Sequence, residues 1–514
     1  MKPLLISTIS LCLSLAANAI KKPNIVYILA DDLGYGDVQC LNPKRGKIRT
    51  PNMDKVAAEG MTFTDAHTTS SVCTPTRYSI ITGRYNWRTE LQDGVLNGYG
   101  LPLIPEERET VPGLLRKNGY TTAMIGKWHI GLGIGTTNGQ PAKPAEGIKA
   151  KVNKGDFSVE ELSNIDWKSE IKGGPVDLGF DSWFGISASL DFPPYVWIRD
   201  RNWIGEGTHA KSFRRAGPAS EKFEAVDVLD ELAKESVRFI EESNSSKPFF
   251  VYIPLPSPHT PIVPTRKWQG KSGIGSYGDF VMQTDDFVGQ VVKALDKRGI
   301  SDNTLLIVTS DNGCSKAANF TNLESHGHFA SAQYRGSKAD IWEGGHRVPF
   351  LVKWPKVIKP GSVCDVLTCQ TDLMATCAEI VETEVPTNAG EDSESILPLF
   401  KAEEPSYSRK GVIHHSISGH FGYREGDYKL ILAYGSGGWT SPNEGKSKKA
   451  GAPEAQLYNL KTDPGEQENL YKKHPEVAKR LLAQLTQYIK AGSSVEGKVS
   501  ENDVKNIKLW KSKK

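Results

Sequence analysis

The chain has 514 residues, 38% apolar and 24% charged, globular proportions that exclude disorder, collagen or a coiled coil as whole-chain readings. Lys plus Arg total 63 against 60 Asp plus Glu, a net charge of +3, so no global basic field points to nucleic acid. Seven cysteines, few and odd in number, exclude a disulfide scaffold and leave at least one thiol without an intrachain partner.

The N-terminus reads as an export signal. Lys2 precedes the apolar run Leu4 to Leu15, and Ala17-Asn18-Ala19 supplies a small-x-small cleavage pattern. A dozen or so apolar residues cannot cross a ~30 Å hydrocarbon core. The leader is residues 1–19, and Cys12 leaves with it. The mature protein is expected to be exported, periplasmic or secreted, or lysosomal in a eukaryotic source, with no membrane insertion. The sequons at Asn244 and Asn319 matter only in a eukaryotic host.

Short apolar runs then alternate with helical patterns. Residues 24–30, 121–125, 249–253, 304–310 and 350–354 read as strands, the first and fourth buried on both faces as in a parallel sheet. Helical patterns cover 52–60, 76–83, 110–118, 224–243 and 279–298. This alternation predicts α/β architecture. Residues 139–175 read as an inserted loop and 435–455 as a mobile Gly/Ser/Lys-rich segment. Beyond about residue 400, runs at 411–415, 419–424 and 428–432 read as antiparallel strands, followed by a helix over 475–491. The expected division is a catalytic domain over 20–404 and a smaller α+β subdomain over 405–514.

Function in open α/β sheets collects beyond the carboxyl ends of strands. Two strands end in Asp31-Asp32 and Asp311-Asn312. Each pair is either a turn or cap or, with the other, an oxygen-rich site for Ca²⁺ or Mg²⁺. Lys127 and His129, two apart after another strand, share a face when extended and could bind an anion and move a proton. Cys73 sits where Thr74 and Pro75 start a helix, with Arg77 one turn on. It is either an activated nucleophile or a structural cysteine.

Cys73-x-Pro75-x-Arg77 resembles the sulfatase motif, and the resemblance runs along nearly the whole mature chain. It takes in Pro23 to Asp37, Thr50 to Asp54, Gly83-Arg84-Tyr85, Gly126 to Gly131, Ser257 to Pro261, Ser310 to Gly313, Arg335 to Lys338, Trp342 to Gly345, and Leu457 to Leu460 with Asp463 to Glu466. It implies an alkaline-phosphatase-like α/β sandwich, with a large mixed, mostly parallel sheet and a C-terminal antiparallel subdomain. It also implies a maturation enzyme that oxidises Cys73 to formylglycine, and one Ca²⁺ held by Asp31, Asp32, Asp311, Asn312 and the modified Cys73. The hydrated aldehyde would attack sulfur with Asp311 as base and His259 as acid, forming a covalent sulfo-enzyme. His129 would then take the proton that lets sulfate leave, while Arg77, Lys127 and Lys338 bind the sulfate.

Ser189, with Ser187 or Asp191 as alternatives, matches a polar group near the sulfate in some members. For the leaving group, Trp197, Arg199 and Arg201 in the aromatic, Arg-rich loop 192–203 are the candidate substrate contacts, either stacking on a sugar or packing on the domain. Tyr99, His420 and Arg424 are weaker candidates, and His414-His415 read as structural. A sulfated carbohydrate, of the N-acetylgalactosamine-6-sulfate or galactose-6-sulfate kind, is favoured over a steroid or aryl ester. A phosphatase relative would be expected to carry Ser or Thr and two zinc ions. A dead, glycan-binding scaffold would be expected to lose one of Cys73, Arg77, Lys127, His129, His259 or Lys338, and all are present.

Overall fold

The computed structural model describes residues 22–402, 407 and 409–511; the expected leader lies outside them. A ten-stranded sheet runs in the order Ser362–Cys364, Met61–Phe63, Phe350–Lys353, Thr304–Ser310, Asn24–Ala30, Phe249–Pro254, Thr121–Lys127, Ser182–Ile186, Trp197–Arg199, Asn202–Ile204. The consecutive strands from Thr304–Ser310 through Ser182–Ile186 are mutually parallel. Antiparallel strands flank them on both sides.

Why the central runs are apolar throughout is visible in how they divide. Ile25, Tyr27 and Leu29 enter one core layer, whereas Val26, Ile28 and Ala30 enter the other, as a period-two strand with both faces covered must do. Helices Cys73–Thr82, Val111–Lys117 and Leu373–Ile380 pack on the first face through Tyr78, Leu114 and Met374. Helices Pro51–Glu59, Val228–Glu242 and Ser276–Lys297 pack on the second through Val56, Leu232 and Val288. No described helix is long and apolar enough to cross a membrane.

The segment 139–175 holds only two 3₁₀ turns, Ile148–Lys151 and Val159–Glu161, but anchors itself by burying Ile165, Trp167 and Ile171. The hairpin His209–Ser212 with Ala216–Ala219 was not foreseen, because its alternation is short and interrupted by Gly217 and Pro218. Residues 435–455, expected to be loop, contain a helix over Glu444–Lys449.

Strands Gly411–His415, Phe421–Glu425, Tyr428–Ile431 and Gln456–Asn459 form a four-stranded antiparallel sheet. Helix Pro475–Lys490 lays Ala478, Leu481, Leu485 and Ile489 on it, the i, i+3, i+4 stripe of an amphipathic helix. Tyr85 and Trp87 from the segment after Cys73–Thr82 enter the same core, so the two layers share apolar contacts. Buried Lys429 donates to Glu343 at 3.0 Å and to Glu466 at 2.9 Å. Removing one partner of such a group strands buried charge. Lys429→Met is therefore expected to lose about 3–5 kcal/mol of unfolding free energy, read from the urea midpoint at constant m; an unchanged midpoint would contradict this role.

Candidate active site

The parallel strands deliver their ends to one edge of the sheet. Ala30 leads into Asp31-Asp32, Ser310 into Asp311-Asn312, Lys127 into Trp128-His129, Ile186 into Ser187 to Ser189, and Pro254 into the loop holding His259. Helix Cys73–Thr82 is buried along its whole length and presents Cys73 at its start. Gly83 ends it with φ 66°, a left-handed conformation glycine adopts without steric cost. Gly126 is required for a different reason: at φ 141° an added Cβ would lie 2.1 Å from the Pro254 carbonyl. That close approach sets Lys127 against the neighbouring strand end.

Three carboxylates meet three cations here. Lys127 Nζ donates to Asp31 Oδ2 at 2.6 Å. Arg77 donates through Nε and a terminal nitrogen to Asp311 Oδ2 at 2.9 and 2.7 Å, and to the Lys127 carbonyl at 3.1 Å. Lys338 Nζ lies 2.6 Å from Asp32 Oδ1, which also accepts from Asn312 Nδ2 at 2.7 Å. All of these side chains are essentially excluded from solvent. Burial works against the Asp31 charge, but Lys127, His259, Arg77 and Lys338 hold its carboxyl well below the usual range. Burial and the Asp31 charge push Asp311 up to about 7, against Arg77.

Two histidines stand beside these charges. His129 Nε2 lies 2.7 Å from the Leu96 carbonyl, which fixes the proton there and leaves buried Nδ1 without a partner. Burial and the adjacent Lys127 and Arg77 hold its pKa well below that of free histidine. His259 Nδ1 faces the Thr260 carbonyl at 2.6 Å, so Nε2, 3.7 Å from Asp32 Oδ2, is its free nitrogen. Burial, reinforced by Lys338, lowers this pKa too. Asp32 and His129 both have positive φ, 66° and 61°, a conformation that costs energy outside glycine and concentrates at functional sites. Burial pushes the Cys73 thiol up against the pull of Lys127 and Lys338, so this pocket does not favour a thiolate nucleophile.

The oxygen donors fit a hard cation. Carboxylate or thiol atoms of Asp31, Cys73 and Asp311 lie within 4.8 Å of one another, and buried Asp31 Oδ1 and Asn312 Oδ1 have no hydrogen-bond partner. Unpaired buried oxygens of this kind are costly unless something binds them. A second cluster, His67, Glu343, His346 and His414, has the spacing of ligands. Lys429 donates within it, to Glu343 at 3.0 Å and 2.8 Å from His346 Nε2, so an ammonium already supplies its positive charge. His414 stacks on His346 at 3.7 Å, and its structural reading stands.

A cleft of about 720 Å³ opens over Cys73, Ser189, His259 and Lys338. Ser189 Oγ is buried there without a partner, as is Ser187 Oγ, while Asp191 binds Arg215 at 2.6 Å. The expected leaving-group contacts lie elsewhere. Trp197 stacks on Phe184 at 4.8 Å, Arg199 pairs with Glu235 at 3.0 Å, and Arg201 with Asp177 at 2.6 Å. Their segment forms a hairpin that ends the sheet instead of looping over the cleft, and none of the three lines it. Arg424 is likewise engaged with Asp65 at 2.6 Å, and His420 and Tyr99 are absent from the cleft wall. The outer wall comes instead from Phe192, Arg214, Arg215, Lys316 and Trp439. The only sequence cue was a Trp in a Gly-rich stretch and a Lys five residues after Asp311.

Known proteins resemble the chain in sequence and fold. A family profile described as Sulfatase matches residues 23–383, and one described as N-sulphoglucosamine sulphohydrolase, C-terminal, matches 337–491. The chain is 30% identical to an N-acetylgalactosamine-6-O-sulfatase of Bacteroides thetaiotaomicron, over 91% of this chain and 93% of that one. It is 31% identical to the steryl-sulfatase of Rattus norvegicus, over 76% and 73%. A structure from work on glycosaminoglycan metabolism by Bacteroides thetaiotaomicron superposes with TM-score 0.75 at 29% identity, covering 91% of this chain and 99% of that one.

The charge balance generates a stability prediction. Arg77→Met leaves the Asp311 carboxylate buried without its fork of donors and is expected to cost about 3–5 kcal/mol. Denaturant unfolding of the purified variant measures it, and a loss below about 1 kcal/mol would show that Asp311 finds another partner.

Proposed function

The chain belongs to the sulfatase family and is a sulfuric ester hydrolase, and on that premise we propose that it releases sulfate from a sulfated saccharide by way of a modified Cys73. The observation that carries this reading is Cys73 at the floor of the cleft, facing Asp31, Asp311 and Lys338, with a thiol that burial keeps protonated. A residue so placed serves catalysis better as an oxygen nucleophile than as a thiol, and the Cys-x-Pro-x-Arg sequence suits conversion to formylglycine by a maturation enzyme. The carbohydrate substrate is supported by end-to-end similarity to the N-acetylgalactosamine-6-O-sulfatase, against partial similarity to the steryl-sulfatase. Export follows from the leader pattern at residues 1–19.

Asp31, Asp32, Asp311 and Asn312 would hold a Ca²⁺, which when bound would neutralise sulfate charge and polarise its S–O bonds. The chain's own groups supply the rest. Arg77 fixes Asp311 through Oδ2, and Oδ1, which accepts the Asp32 backbone N–H at 3.3 Å, keeps a lone pair for the proton of the attacking oxygen at residue 73. Lys338 and Ser189 border the sulfate position, and the buried positive charge of Lys127, Arg77 and Lys338 favours negative charge building on the transferring group. His259, whose Nδ1–H is held by the Thr260 carbonyl, gives a proton from Nε2 to the departing alcohol oxygen in its imidazolium form, which the negative charge of the bound ester favours against burial, so that the sulfuryl group passes to residue 73. His129, neutral with Nδ1 free, then takes a proton from residue 73 as sulfate leaves.

Protein co-expressed with a formylglycine-forming enzyme is expected to release inorganic sulfate from N-acetylgalactosamine-6-sulfate or galactose-6-sulfate. Residue 73 should have lost its thiol sulfur, and its peptide should react with a hydrazide, both read by mass spectrometry. Full sulfate release by Cys73→Ala would refute the mechanism. His129→Ala should lower kcat about 10²–10⁴-fold in steady-state assays with little change in fold by circular dichroism. Removal of Ca²⁺ by a chelator should abolish turnover and lower the melting temperature, with both restored by added Ca²⁺; a chelated enzyme of unchanged rate and stability would exclude the metal.

A further inference from the structure

The cleft changes character from floor to mouth. Its floor residues Cys73, Ser189, His259 and Lys338 are at most 7% exposed, whereas Arg214, Arg215 and Lys316 at the mouth are exposed. Two walls carry these cations. One is the turn of the hairpin His209–Ser212 with Ala216–Ala219. The other is the 3₁₀ turn Lys316–Ala318, which follows Asp311-Asn312 by a few residues and faces Trp439 of the C-terminal subdomain.

The hairpin turn is held on both sides of Arg214. Phe213 packs edge-on against Tyr195 at 4.8 Å, and the Tyr195 hydroxyl donates to the Arg215 carbonyl at 2.6 Å. Arg215 lies over Phe192 at 4.0 Å and pairs with Asp191. Between these anchors Arg214 has φ 117°, strain that a non-glycine residue keeps only where its surroundings impose it. Arg214 has no hydrogen bond or ion pair among the described residues, and Lys316 has only its stacking over Trp439 at 5.0 Å. The mouth therefore holds three cations against one carboxylate, Asp191, which Arg215 already neutralises. Sulfate itself is provided for deeper in the cleft, at Lys338 and Ser189. Two positive groups thus face substrate space with no counter-charge among the described residues, beside an aromatic ring suited to a sugar face.

We infer that the cleft mouth is a second anion site, in which Arg214 and Lys316 grip a sulfate or carboxylate carried by the same or the adjoining sugar while Trp439 stacks on the ring. The preferred substrate is then a saccharide with two negative groups, not a singly sulfated sugar or an aryl or steroid ester. This inference rests on the carbohydrate reading above.

The test compares kcat/KM of the matured Ca²⁺-loaded enzyme on four substrates. They are 4-nitrophenyl sulfate, N-acetylgalactosamine-6-sulfate, its 4,6-disulfate, and a 6-sulfated disaccharide carrying a uronic acid; the last two separate a second sulfate from a carboxylate. The wild type should prefer at least one doubly charged substrate over the singly sulfated sugar by about tenfold or more. R214A and K316A should each cut that ratio by about tenfold, while R214K keeps most of it and added salt erodes it. Melting temperatures of the variants control for folding. If the singly sulfated sugar is hydrolysed but the second anion brings no gain, or the variants keep the wild-type ratio, the second anion site is overturned and the carbohydrate reading survives. If only the aryl ester is hydrolysed, both readings fall.

Discussion

Charge compensation at the carboxyl edge of the central sheet is the constraint on which the rest of the molecule depends. Asp31, Asp32 and Asp311 are fully buried, and each is answered by a cation from a different part of the chain: Lys127 from a strand end, Lys338 from a loop, Arg77 from a helix. A buried carboxylate without a partner would neutralise or unfold its surroundings. The arrangement therefore ties strand, helix and loop together, and misplacing one element exposes a charge in another. It also leaves Asp31 Oδ1 and Asn312 Oδ1 unpaired, so the cluster is balanced in charge yet open in coordination.

The surroundings hold that cluster still. The two apolar layers on the sheet fix the strand ends, and Gly126 lets one strand approach the next closely enough to bring Lys127 to Asp31. On the other flank, the knot of Lys429 with Glu343 and Glu466 joins the antiparallel sheet to the loop that carries Lys338. Arg347 and Arg424 converge on Asp65 a few residues before Cys73. The C-terminal subdomain thus reaches the active-site edge twice, once through this buried network and once through Trp439 in the cleft wall.

Floor and mouth of the cleft are built differently. Groups at the floor belong to strand ends and to the helix start, positions that the sheet makes rigid. Those at the mouth sit on turns anchored by aromatic packing, at Tyr195 with Phe213 and at Arg215 with Phe192. The floor is therefore the more rigid part of the cleft, and the mouth the part that the turns shape.

Much of this was legible in the residues. Apolar runs ending in Asp31-Asp32 and Asp311-Asn312 announced parallel strands with oxygen-bearing side chains at their ends, because burial on both faces leaves a signal every residue long. Cys73, Arg77, Lys127 and His129 stand in compact local patterns, and local spacing is what a sequence records. His259 and Lys338 were legible only through resemblance to a family, since neither has a local pattern of its own. The outer cleft was not legible. Trp197, Arg199 and Arg201 looked like a binding loop but lie in the hairpin that ends the sheet, with their side chains engaged by Phe184, Glu235 and Asp177. Arg214, Lys316 and Trp439, about 220 residues apart at the extremes, converge at one mouth. By itself the sequence determined the elements and the oxygen-rich strand ends and marked Cys73 as the candidate nucleophile, all through short-range patterning. Only the tertiary structure decided which distant turns share the cleft, because that depends on how the packed layers bring separate loops together.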